Sequence, residues 1–301
     1  MRVSRSAPKA QTISAALRYT SPVGPSDALP RWLPNRKRPR RPPSILGSRG
    51  PGSLYRRLKS LQLLATRDRG AVLRFLVAHY PLDLGILERL RFVARLVETT
   101  NAVRCYHTQA ELLAVVDAIF ARAGRPGPTV VEAGAGKGAS TAKLSLAAAR
   151  AGGRLIVFDS FRGLPRNDER HTRLDGTPVR FFGGAFPGRL PSVKRVVERF
   201  GAPSACEFRK GWFEETMPGF DLPIDVLHLD VDLLASTRTC LIHLFPRVRP
   251  GGIVFSQDAH LKAIVDLLAS ERFWREEVGV APPRIDGLGV RKLVAIEPRG
   301  P

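Results

Sequence analysis

The 301-residue chain is poor in cysteine, in long apolar runs and, at its start, in acid. Cys105, Cys206 and Cys240 are far apart, odd in number and free of C-x-x-C spacing. That excludes a disulfide framework and a structural zinc site. No apolar run approaches the roughly 18 residues a membrane span needs. The first residues also lack the apolar core of a signal peptide. A soluble, cytoplasmic protein without membrane contact is expected. Acid is almost missing from residues 1–60, where 14 Lys and Arg face the single acid Asp27, so +13 of the formal net charge of +21 sits there. The same stretch holds nine prolines and the run Arg36-Lys37-Arg38-Pro39-Arg40-Arg41-Pro42-Pro43. With so little apolar periodicity, residues 1–53 read as an extended or disordered basic tail. Such an arm attracts phosphates without sequence preference. A solvated, dispensable extension is the simpler account, and nucleic acid is not the expected partner. Pro22, Pro25, Pro30 and Pro34 interrupt any amphipathic transit helix.

Beyond the tail, a 44% apolar composition suits one α/β domain with an extension. Residues 54–127 read as helical, with apolar residues at helix spacing in Leu87-Leu90-Phe92-Val93-Leu96 and Leu112-Leu113-Val116-Ile119-Phe120. Thr108-Gln109-Ala110-Glu111 is a capping box that starts the second of these helices. This region is expected to cover one side of a sheet or to form the subunit interface of a homo-oligomer. Residues 128–301 alternate β-type runs with helical ones. Thr129-Val130-Val131, Leu155 to Phe158, Glu207 to Lys210, Val226 to Leu229 and Gly252 to Phe255 read as strands, with a last edge strand at Leu293 to Ile296. The pattern predicts a doubly wound, mainly parallel sheet of Rossmann-like type with a helical N-terminal extension. Ligands in such folds gather at the carboxyl ends of the strands, where Glu132, Asp159, Asp230 and Asp258 all fall.

The first strand breaks on Glu132-Ala133-Gly134-Ala135-Gly136-Lys137-Gly138 and passes at once into a helical run from Ala139 to Ala151. Glycines there let backbone approach a ligand, and the helix N-terminus offers unpaired N–H groups. Gly134, Gly136 and Ala139 also satisfy the dinucleotide fingerprint. Glu132 and the alternate glycines Gly134, Gly136 and Gly138 favour the first motif of S-adenosylmethionine-dependent methyltransferases. Asp159 closes the second strand about twenty residues on, where nucleotide folds place a carboxylate on ribose hydroxyls. An Asx turn into Ser160-Phe161-Arg162-Gly163 is the alternative. Asp230-Val231-Asp232 and Gln257-Asp258 close two further strands, bringing hard oxygen donors suited to magnesium or manganese to the same rim. Helix capping by Asp232 or Asp258 is the alternative.

With these blocks in view the sequence resembles the metal-dependent macrocin O-methyltransferase family, whose members methylate sugar hydroxyls on natural products. The resemblance runs from about Thr129 to Glu297 and rests on Phe158-Asp159-Ser160-Phe161-Arg162-Gly163-Leu164-Pro165, Lys210-Gly211-Trp212-Phe213-Glu214-Glu215-Thr216-Met217-Pro218, Leu229-Asp230-Val231-Asp232-Leu233 and Pro246 to Gly252. It implies a class I methyltransferase fold and S-adenosylmethionine as cofactor. Glu132, Gly134, Gly136, Gly138, Asp159, Ser160, Gly211, Trp212 and Phe213 would line that cofactor, with Asp159 on both ribose hydroxyls. A divalent ion, magnesium or manganese, would sit on Asp230, Gln257 and Asp258. Gln257 departs from the family, which has an aspartate there, and Leu234 and Ala235 replace its tyrosine and glutamate. The implied reaction is in-line methyl transfer to a hydroxyl of a small molecule, with Asp230 as base and His260 as a second candidate base. The basic loop from Arg162 to Arg189 is expected to close over the substrate. A cofactor binder with a degenerate metal site, a nicotinamide oxidoreductase and a nucleic-acid-directed methyltransferase using the tail remain the alternatives.

Because residues 1–46 hold too little apolar periodicity to join a core, their deletion is expected to leave folding and cofactor affinity unchanged. A fall of more than a few degrees in the thermal midpoint of the truncated protein would show the segment to be structural.

Overall fold

A computed structural model describes residues 51–124 and 126–299; the basic segment before residue 51 lies outside the described residues. Five strands form the parallel part of a seven-stranded sheet: β1 (Thr129–Ala133), β2 (Arg154–Asp159), β5 (Cys206–Lys210), β6 (Ile224–Leu229) and β7 (Val248–Ser256). With β8 (Arg284–Asp286) and β9 (Val294–Glu297) the order is β5-β2-β1-β6-β7-β9-β8. The expected strands are all present, with one correction. Residues 294–297 do not lie at the edge: β9 pairs antiparallel with β7 on one side and β8 on the other. The three-residue β8, too short to show a period, takes the edge. A two-stranded hairpin, β3 (His171–Thr172) with β4 (Pro178–Val179), stands within the basic loop.

Burial on both faces explains the composition of the central strands. Along β1, Val131 and Ala133 face one apolar cluster, while Val130 faces another. The first cluster is covered by α8 (Leu234–Leu244), α9 (Lys262–Ala269) and the turn around Trp274. The second is covered by α4 (Gln109–Phe120) and α5 (Ala139–Arg150), with α2 (Arg69–Val77) and α3 (Ile86–Ala102) behind them. Asp225 ties the amino ends of the strands together: it accepts from Thr129 N at 2.8 Å and from Arg249 at 3.2 Å. The N-terminal helical stretch therefore packs on the sheet. Its capping box is formed as expected, with Glu111 N donating to Thr108 Oγ1 at 3.0 Å and Thr108 N donating to Glu111 at 2.7 Å. The α3 stripe is turned from its expected setting. Val93 and Leu96 are buried, but Leu87 and Leu90 are 63% and 46% exposed, because Arg89 turns inward to bind the carbonyls of Leu84, Phe75 and Ala78. No helix among the described residues is long and apolar enough to cross a membrane.

The carboxyl ends of β1 and β6 approach so closely that only glycine fits at residue 134. Its φ is +92°, and a Cβ there would lie 2.0 Å from the carbonyl oxygen of Asp230. Gly136 also has a positive φ, +48°, but a Cβ would meet nothing within 4 Å. Gly134→Ala is thus expected to disrupt folding, while Gly136→Ala should cost only the roughly 1–2 kcal/mol of left-handed strain. Urea denaturation of the two variants checks this ordering, and equal losses would contradict it.

Candidate functional site

A cavity of about 870 Å³ opens at the carboxyl edge of the sheet. Its lining includes Gly134 and Gly136 from the β1–α5 turn, Asp159 and Ser160 after β2, Gly211, Trp212 and Phe213 after β5, Asp230 after β6, and Asp258 and His260 after β7. Those sequence-picked residues do come together. Glu132, Gly138 and Gln257 do not line the cavity. Glu132 is on β1 itself, wholly buried; Gly138 is the N-cap of α5, packed against Val193; Gln257 is wholly buried. Glu132 lies on the strand below the rim, Gly138 past the glycine turn at the start of α5, and Gln257 in the turn after β7, which spacing alone does not show.

Asp159 has work of its own. Its carboxylate accepts from Ala135 N at 2.7 Å, Gly136 N at 3.2 Å and Phe161 N at 2.5 Å. An ionised carboxylate has about four lone-pair sites, so one remains. That site is open to a ribose hydroxyl. The Asx turn weighed as an alternative is present as the Phe161 contact. Burial raises the pKa of Asp159, against the pull of these three donors. An open backbone face at Gly136 next to a carboxylate with one free acceptor site suits a nucleoside-bearing cofactor such as S-adenosylmethionine.

Asp230 is held by a residue that sequence reasoning missed. His107 Nε2 lies 3.2 Å from Asp230 Oδ2, with the histidine side chain 4% exposed and the aspartate 25% exposed. Burial opposes charge on His107, yet Asp230 outweighs it and raises the imidazole to about 10. Burial likewise would raise Asp230, but His107 holds the carboxyl well below the usual carboxylate range. On its other side His107 Nδ1 meets Cys105 Sγ at 3.5 Å, and Lys143 Nζ reaches the same sulfur at 3.6 Å. Burial would raise the Cys105 thiol, but these two neighbours bring it down to about 6. Cys105 and His107 stand just before the capping box of α4, more than a hundred residues ahead of Asp230. Nothing local in the sequence links them.

The metal reading fits poorly. Among the described residues no three His, Cys, Asp or Glu side chains gather closely enough to hold a metal ion. Asp258 Oδ2 accepts from Val231 N at 3.0 Å and Asp232 N at 2.9 Å, so it braces the turn after β6. That turn carries Asp232 at φ +62°, a strained setting for a non-glycine residue. Burial, together with the neighbouring carboxylates, raises both Asp232 and Asp258. Gln257, the third expected ligand, is buried away from the cavity with both amide atoms unpartnered. Burial lowers the pKa of His260, half-enclosed on the same rim, so it stands neutral near pH 7.

The loop from Arg162 to Arg189 lines the cavity through Gly163 to Asn167, Glu169, Arg173, Phe181 and Ala185 to Pro187. It is anchored at Glu169, which pairs with His171 at 2.9 Å and accepts from Leu234 N and Ala235 N at the start of α8.

Comparison with known proteins agrees with this architecture. The family model described as Macrocin-O-methyltransferase (TylF) matches residues 109–291. A Streptomyces olivaceus protein, 8-demethyl-8-(2,3-dimethoxy-alpha-L-rhamnosyl)-tetracenomycin-C 4'-O-methyltransferase, is 34% identical over 176 residues, covering 56% of this chain and 66% of its own length. Mycinamicin III 3''-O-methyltransferase of Micromonospora griseorubida is 33% identical over 107 residues, 34% of this chain and 42% of its own. The chain thus spans under two thirds of each of these relatives. In structure it is similar to the O-methyltransferase NovP, with a TM-score of 0.53 at 21% identity over 83% of this chain and 100% of that one. The calicheamicin methyltransferase CalS11 follows at 0.51 and 17%, over 88% and 100%. Both likenesses place the fold among class I O-methyltransferases.

The His107–Asp230 pair sets a pH signature. Since the folded state raises His107 from an ordinary 6.5 to about 10, its contribution is complete below pH 6.5 and fades as pH rises toward 10. His107→Gln should therefore cost roughly 3 kcal/mol at pH 6, the low end for a buried pair because Asp230 keeps some exposure. The cost should shrink by pH 10. Urea denaturation of both proteins at the two pH values measures it, and a loss independent of pH would show that His107 is uncharged.

Proposed function

This chain belongs to the macrocin O-methyltransferase family, and from that premise we propose that it is an S-adenosylmethionine-dependent O-methyltransferase acting on a sugar hydroxyl of a natural product or its precursor. One observation supports the reading above all: the glycine turn and Asp159 share a single cavity with the ion-paired Asp230. A cofactor bed and a base then face the same space.

When bound, S-adenosylmethionine supplies an electrophilic methyl on a sulfonium and leaves as a neutral thioether. Gly136 offers close backbone approach to the cofactor, with Ser160 shaping the turn beside it, Asp159 accepting one ribose hydroxyl and Trp212 and Phe213 closing the side after β5. Asp230 is the base. His107 stands against Oδ2, so the other carboxylate oxygen would take the acceptor proton as the oxygen–methyl bond forms. The charge on His107 keeps Asp230 ionised and orients it, at the expense of its proton affinity. Neutral His260 on the same rim is the second candidate base. No step is assigned to a divalent ion, because Gln257 stands outside the cavity and Asp258 is engaged by two backbone donors. Much of the catalysis is positioning, which can lower a barrier by roughly 7–11 kcal/mol when two reactants are held in line.

Asp230→Asn is expected to lower kcat by about 10²–10⁴ with S-adenosylmethionine affinity nearly unchanged, as for loss of a general base. Calorimetry with the cofactor, and methyl transfer to a rhamnosyl acceptor, separate the two effects. Tighter binding of NADH than of S-adenosylmethionine would overturn the methyltransferase reading.

A further inference from the structure

Cys105 lines the same cavity as Asp230 and has no part in the mechanism above. All three cysteines of the chain are free, but the surroundings of Cys105 differ from those of the other two. Its sulfur stands between nitrogen atoms of two buried side chains. His107 Nδ1 lies 3.5 Å away on the same segment, and Lys143 Nζ lies 3.6 Å away on α5. Beyond the imidazole comes Asp230, so thiol, imidazole and carboxylate follow one another as they do around activated nucleophiles. Lys143 is wholly buried, with the Thr100 hydroxyl of α3 at 2.6 Å as its other partner. A buried ammonium is costly without a matching charge. Burial lowers the pKa of Lys143, and the Cys105 sulfur is the charge that opposes this. Burial also opposes charge on Cys105, yet His107 and Lys143, the charged groups that face it, bring the thiol down to about 6. Cys206 and Cys240 lack such neighbours. Burial pushes Cys206 up to about 12 and Cys240 well above the ordinary thiol range. Cys105 is half-buried between the exposed Arg104 and Tyr106, so a small molecule in the cavity can reach its sulfur.

Building on the methyl-transfer reading, we propose that Cys105 is a redox modification site: a hydroperoxide entering the cavity converts its thiolate to a sulfenic acid, and the oxidised protein does not transfer methyl groups. The sulfur attacks a peroxide oxygen, the sulfur–oxygen bond forms as the oxygen–oxygen bond breaks, and the leaving hydroxide takes a solvent proton to become water. Sulfur is oxidised and the peroxide is reduced. The sulfenic acid replaces an anion by a neutral group and adds an oxygen to the cavity wall. His107 then loses the charge facing Nδ1, on the side opposite Asp230. Lys143 and His107 are positioning residues for this step. An added thiol condenses with the sulfenic acid and returns the cysteine, so the change is reversible.

Treatment of the full-length protein with hydrogen peroxide and dimedone, followed by peptide mass spectrometry, tests the site. The adduct should form on Cys105 at least about tenfold faster than on Cys206 or Cys240. Equal labelling of the three cysteines, or none on Cys105, overturns the proposal. The ultraviolet absorbance of a thiolate near neutral pH should vanish in Cys105→Ala, and its titration midpoint should rise by about one pH unit in Lys143→Met. A packing role alone would not move that midpoint, so an unchanged value overturns the part given to Lys143. Methyl transfer to a rhamnosyl acceptor should be lost once Cys105 is oxidised, return with dithiothreitol, and be insensitive to peroxide in Cys105→Ala. Turnover that survives complete oxidation of Cys105 overturns the proposed loss of activity. Absence of methyl transfer before peroxide would defeat the methyl-transfer reading separately, because the labelling is read on its own.

Discussion

The approach of β1 to β6 at Gly134 is the constraint on which the rest of the site hangs. Five parallel strands deliver their carboxyl ends to one edge, and a parallel sheet buried on both faces has its turns as the only place for polar chemistry. The close contact between residue 134 and the Asp230 carbonyl sets the distance between the glycine turn and the base. Cofactor bed and carboxylate are thus two sides of one backbone contact, and neither can shift without the other.

Below that rim lies a layer of buried polar groups. Glu132 and His228 are register partners on β1 and β6, both wholly buried and without hydrogen-bond partners on their side chains. Burial raises Glu132 to about 7 and lowers His228 to about 3, so near neutral pH His228 is uncharged and Glu132 is close to its midpoint. Each would be costly as an ion in that setting. Next to them, charge is supported by partners: His107 by Asp230, and Lys143 by the Thr100 hydroxyl and the Cys105 sulfur. The site therefore sets a buried layer in which charge is suppressed beneath a charged rim, and His107 is the link between them, 5.4 Å ring to ring from His228.

Much of this was legible in the chain. The β1–α5 glycine turn, the capping box at Thr108 and the five apolar runs carry their structure in local spacing, so strand order aside the sheet could be read directly. What was not legible has a physical cause in each case. Leu293 to Ile296 reads as a strand, but its antiparallel insertion beside β7 depends on a partner too short to show a period. Gln257 looked like a ligand because it stands where the resembled family has an aspartate, yet in the turn after β7 it is buried off the cavity while Asp258 lines it. His107, with Cys105 behind it, reaches Asp230 because α4 packs on the sheet over β6, and separation along the chain hides such contacts. The engagement of Asp159 was likewise invisible, since its donors are backbone groups that every sequence possesses.

Those backbone donors give the site a property beyond its shape. With Ala135, Gly136 and Phe161 bound to one carboxylate, the glycine turn and the turn after β2 are cross-linked by the protein's own groups. The conformational entropy of two flexible, glycine-containing segments has been surrendered during folding rather than at the moment of encounter. Cofactor capture at this end should proceed as docking onto a rigid surface, with the rate set by diffusion and orientation instead of loop ordering.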